Sequence, residues 1–85
     1  MSIPKVSIKQ VKAARALLDW SQARLAEASG VSHPTLKRLE AGDGELGGRE
    51  GTSDRIRSAL EAAGIIFVQE NGEGPGVRLR KGKPT

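Results

Sequence analysis

Residues 21–42 read SQARLAEASGVSHPTLKRLEAG, and their order predicts two short helices joined by a tight turn. Ser21 offers a hydroxyl to the free amide groups of a first turn. Trp20 just before it and Leu25 one turn inside can close a hydrophobic staple over that start. Leu25, Ala26 and Ala28 give a short apolar stripe, and Gly30 suits an exit with φ > 0, which only glycine adopts cheaply. Val31 plugs the corner and Ser32 caps the second helix. Leu36 and Leu39 face inward there, while Lys37 and Arg38 fall on the other side. Gly42 is expected to end that helix.

The register of Gln22, Leu25, Ala26, Ser29, Gly30, Val31, Ser32, Thr35, Leu36, Leu39, Glu40 and Gly42 resembles the lambda-repressor/Cro-like (XRE) helix-turn-helix family. The likeness covers about the first half of the chain. It implies a mainly α fold, a small bundle of about four helices, whose third helix enters the major groove of double-stranded DNA. By the same resemblance His33, Pro34 and Arg38 stand where relatives touch base edges. Arg38 is the strongest candidate, because a guanidinium can bind O6 and N7 of guanine together. Pro34 departs from the family pattern, in which many members carry a hydrogen-bonding residue; it can still touch a thymine methyl. Gln22 matches a family position that contacts the DNA backbone. Ser21, Ser32, Thr35 and Lys37 join it as phosphate candidates, since a helix N-terminus presents free N–H groups to an anion. Ser21 and Ser32 have a sufficient structural role as caps as well. An ion pair between Arg15 and Glu40, tying the first helix to the third, is also implied.

Composition narrows the remaining possibilities. Eighty-five residues make one domain with a small core. There is no cysteine, hence no disulfide, thiol nucleophile or thiolate metal site, and only one histidine. No nucleophile, base and orienting acid stand at a readable spacing, so no catalytic residue, metal site or cofactor is expected and an enzyme is not. A net charge of +4 favours a polyanionic partner. The opening MSIPKVSIKQ lacks the apolar core of a signal peptide, and no run approaches the ~18 apolar residues of a membrane span. A cytoplasmic, nucleoid-associated protein with no membrane partner is the expectation.

Outside the quoted stretch, residues 1–6 read as a leader, and Ser7 with Gln10 as a capping box for a helix running to Leu18. Ile8, Val11, Ala14, Leu17 and Leu18 share its apolar face by 3.6-residue spacing. Lys5, Lys9 and Lys12 lie elsewhere, on a solvated face or against phosphates. Residues 43–52 carry the chain through a glycine-rich loop expected to be mobile; it lacks the Gly-Lys-Ser/Thr ending of a phosphate-binding loop. Arg49 there is a solvated arginine or a phosphate contact. Residues 53–63 predict a fourth helix capped by Ser53, with Asp54 at its positive end, Gly64 as its stop, and Ile56, Ala59, Leu60 and Ala63 as its buried stripe.

The period then changes. Residues 65–69 are β-branched and aromatic, residues 71–76 have turn chemistry, and residues 77–80 alternate apolar with basic. A C-terminal β-hairpin over residues 65–81 follows, with a tail over 82–85. Residues 65–68 are apolar on both faces. One face is therefore expected to pack on the fourth helix, and Ile66, Phe67 and Val68 to meet a second subunit. A homodimer would read a pseudo-palindrome, because one module of this size buries little surface on DNA. The reading is a transcriptional regulator, most simply a repressor. Its alternative is a protein-interaction module of the same fold, an antitoxin or antiactivator, with a regulatory protein as partner.

Overall fold

Ser7 and Gln10 close a reciprocal capping box at the head of helix α1 (Ile8–Leu18). The computed structural model in which they do so describes residues 6–47 and 51–82. After α1 come α2 (Gln22–Ser29), α3 (His33–Glu40), α4 (Thr52–Ala62), and the strands β1 (Ile65–Val68) and β2 (Gly76–Leu79). The strands form an antiparallel hairpin in which Ile65 faces Leu79 and Val68 faces Gly76. This is the mainly α bundle with a C-terminal hairpin.

The helix boundaries follow from local chemistry. Ser21 Oγ accepts from Arg24 N–H at 3.0 Å to start α2, and Gly30, at φ 76°, ends it. Two residues later Ser32 Oγ accepts from Thr35 N–H at 3.3 Å to start α3. Little more than two turns of helix on each side of so short a link force α2 and α3 to cross, which buries Leu25 and Leu36 against each other's neighbours in one core. That core also holds Ile8, Val11 and Ala14 of α1, Val31 of the turn, Ile56 and Leu60 of α4, and Ile65 of β1. Each of the Val, Leu and Ile side chains, taken fully out of water, contributes roughly 1.5–3 kcal/mol.

Several expectations need correction. The glycine-rich loop is not free at its start: Ile8 N–H donates to Gly44 O at 2.9 Å, Leu46 N–H to Val6 O at 2.8 Å, and Leu46 is buried. Backbone pairing with the segment before α1 (Ser7 opposite Glu45) holds it there. α3 stops at Glu40 with Ala41 in a right-handed conformation, and Gly42 has no positive φ. A Cβ at Gly42 would lie 3.6 Å from Ile8 Cδ1, an ordinary van der Waals contact. α4 begins at Thr52, and its cap is Gly51 at φ 88°, with no side-chain cap from Ser53. Gly51 sets the direction of entry by its backbone alone.

Periodicity puts Leu17 on the buried face of α1, but the residue is 44% exposed. The hairpin packs on α1 as well as α4. Its lock is Gln10, whose Nε2 donates to Val68 O at 3.3 Å and Gly76 O at 2.9 Å while its Oε1 accepts from Ser7 N–H at 2.9 Å. The amide orientation is dictated, since two carbonyls require the NH2 and one N–H requires the oxygen. Phe67 packs on the core and not outward. Strand alternation puts it with Ile65 and Val77, and leaves Ile66, Val68 and Arg78 on the opposite face. Pro4, Lys5, Arg49, Glu50 and residues 83–85 of the tail lie outside the described residues.

Candidate nucleic-acid interface

α3 has an inner and an outer side. Leu36 is fully buried and Leu39 half-buried against the core, whereas His33, Pro34, Lys37, Arg38 and Ala41 are exposed. Leu36 and Glu40 lie one turn apart on the inner side, so Lys37 and Arg38 between them are turned away from it. Among the described residues neither Lys37 nor Arg38 pairs with a carboxylate. Their charges, with the five-donor fork of Arg38, are therefore available to an external anion or base edge.

The first turn of α3 carries Ser32, His33, Pro34 and Thr35. Ser32 Oγ accepts from Thr35 N–H and donates to Thr35 Oγ1 at 2.8 Å, which spends its proton inside the turn. Thr35 keeps its own hydroxyl proton to give. Pro34 occupies the second helical position, where no intrahelical partner exists for the missing N–H, so it shapes the turn at little cost.

Glu40 fixes the outer face by what it does on the inner one. It is 3% exposed. Arg15 Nε donates to its Oε2 at 2.9 Å, Arg15 Nη2 donates to its Oε1 at 2.5 Å, and Gln22 Nε2 donates to the same Oε1 at 3.2 Å. Arg15 Nη1 donates in addition to Trp20 O at 2.9 Å. The Arg15–Glu40 pair thus joins α1, the α1–α2 link, the start of α2 and the end of α3. Burial disfavours its ionised form, but the hydrogen bonds from Arg15 and Gln22 and the charges of Arg15 and Lys12 outweigh this. Its pKa is held below the ordinary carboxylate value.

Gln22 has a structural contact that sequence reasoning missed. It is half-buried at the first position of α2, and its amide spans to α3. Only one of its amide protons is spent there, so a phosphate contact at the same helix start is compatible with it. Ser21 stays exposed beside it. Lys12 is exposed on α1, and its charge favours the ionised form of Glu40.

Elsewhere Arg24 stacks over Trp20, 4.7 Å from the ring centre, and bonds Glu27 at 3.1 Å. Among the described residues no group of three His, Asp or Glu side chains gathers as metal ligands, and no helix is long and apolar enough to cross a membrane. The exposed cationic face of α3, backed by a buried ion pair and flanked by the N-terminus of α2, can bind a polyanion and offer side chains to whatever lies between its charges. A family model described as helix-turn-helix matches residues 11–50, which span most of α1, all of α2 and α3, and the loop beyond. No curated protein matches the chain.

Proposed function

We propose, from the match of residues 11–50 to a helix-turn-helix family model and the resemblance to lambda-repressor-like (XRE) regulators, that the chain is a homodimeric, sequence-specific regulator of transcription. The observation that carries this is the outward face of α3, where Lys37 and Arg38 stand unpaired over an anchored inner side. α3 lies in the major groove, with Arg38 on a guanine, His33 on a base edge or phosphate, and Pro34 against a thymine methyl. Ser21, Gln22, Ser32, Thr35 and Lys37 hold the sugar-phosphate backbone and set the register.

Two copies related by a two-fold axis would put their α3 helices about 34 Å apart on successive major grooves. Ile66 and Val68, on the sheet face turned away from the core, are the surface for that pairing. A dimer seated on a promoter acts by occlusion, as a repressor, and the work is done in the cytoplasm at the nucleoid.

A titration of duplex binding against salt tests the assignment. Log affinity should fall linearly with log salt, by about 0.9 per phosphate contacted. Binding that is absent, or insensitive to salt, contradicts it.

A further inference from the structure

Leu79 shares the core-side face of the hairpin with Ile65, Phe67 and Val77, yet it is 42% exposed. The reason is what faces it. Ala59 and Ala62 of α4, Ala63 just after it and Ala28 of α2 line a groove of about 1030 Å³ together with Leu17, Leu18 and Trp20. Small side chains on those two helices leave the inner face of the sheet uncovered at this end, and Leu17 is left exposed at the same place. A smaller hollow lined by Ala28, Ala59 and Ala62 continues the groove along α4 toward Asp54. From 54 to 63 the walls run for about 15 Å, nearly three turns of helix. Alanine walls let a helix backbone approach closely, while Leu17 and Leu79 offer apolar contacts to its side chains.

The charges on the main groove have one sign. Arg24 and Arg80 line it and no carboxylate does, while the smaller hollow adds one charge of each sign, Asp54 and Arg55. Arg24 is already engaged by Glu27 and Trp20, whereas Arg80 has no carboxylate partner among the described residues. The backbone N–H of Arg80 donates to Gly64 O at 2.7 Å, which fixes that residue at the mouth. A second copy of a chain with net charge +4 would bring like charge to a cationic rim. We infer that the groove docks an acidic amphipathic helix of a partner protein, with its apolar stripe between Leu17 and Leu79 and a carboxylate on Arg80. No residue of α3 lines the groove, so the occupant leaves the recognition face open; the inference rests on the fold and not on DNA binding.

The test uses three synthetic helix-stapled peptides of about 16 residues (~24 Å of helix) with one leucine stripe, flanked by Glu, Gln or Lys. Each is titrated into the full chain and followed by amide NMR shifts. The Glu peptide should bind roughly tenfold tighter than the Gln peptide, with shifts at Leu17, Ala59, Ala62 and Leu79, and the Lys peptide weakest. Arg80→Glu should reverse that order. Ala62→Trp, at an exposed position, should abolish binding while leaving melting temperature and duplex affinity unchanged. Equal binding of all three peptides, no binding, or shifts confined to Lys37 and Arg38 would overturn the inference. So would sedimentation showing that Ala62→Trp converts a dimer to a monomer, since a second copy would then be the occupant.

Discussion

Arg15 grips Glu40 with two prongs, through Nε and Nη2, across the gap between α1 and α3, and the Glu40 side chain is only 2% exposed. The contact lies directly behind the residues that face outward on α3. The orientation of the outer face of α3 therefore depends on an electrostatic tie in the interior, and not on leucine packing alone.

Arg15→Ala should destabilise the fold by roughly 3 kcal/mol, because it strands a buried carboxylate. Replacing both partners, Arg15→Met with Glu40→Leu, should recover much of that loss. Urea unfolding of Arg15→Met, Glu40→Leu and the double variant, treated as a cycle, measures the coupling.

Stability should depend on pH through the same group. Glu40 titrates lower in the folded state than in the unfolded one, so its contribution is complete above the unfolded value of about 4.5. It is lost as pH falls through the lower folded value. Thermal melts taken from pH 7 to pH 3 should show this acid limb in the natural chain and a shallower one in Glu40→Gln.

Gln10 closes three bonds, to Ser7, Val68 and Gly76. Gln10→Met keeps the volume but leaves the Ser7 N–H and two carbonyls without that partner, at a cost of roughly 1–3 kcal/mol. Amide exchange of the hairpin should speed up more than that of α2 and α3. Uniform change across the chain would show that Gln10 does not hold the hairpin in particular.

On DNA, Arg38→Ala should cost about 1–3 kcal/mol at one base pair and relax preference there, while Lys37→Ala should weaken all duplexes alike. Binding to a panel of single-base variants of a bound site separates the two. An unchanged preference profile in Arg38→Ala would remove that residue from base readout.

Much of this fold is legible in the sequence because its signals are local. Ser7 with Gln10, Ser21, Gly30 and Ser32 each act within three or four residues, and the hairpin announces itself by the β-branched and aromatic run from Ile65 and the period-two alternation from Val77. The Arg15–Glu40 tie is named by family resemblance rather than by any pattern, since 25 residues separate the partners. The second role of Gln10, reaching 58 and 66 residues along the chain, has no local sign. Thr52, Ser53 and Asp54 are all good cap residues, which hid the part played by Gly51. Leu17 and Phe67 show the same limit from opposite sides. Periodicity assigns a face, but whether that face is covered depends on the alanines of another helix or on the direction in which a strand is laid down. The outer residues of α3 are identifiable by elimination, once Leu36, Leu39 and Glu40 are turned inward.

The central claim is that the outward face of α3 reads sequence. Selection of duplexes from a random pool by the natural chain addresses it most directly. The account predicts enrichment of a pseudo-palindrome with half-sites centred about 10–10.5 base pairs apart and a guanine in each half whose selection disappears with Arg38→Ala. A pool that remains random, or an enriched site unchanged by Arg38→Ala, would contradict it.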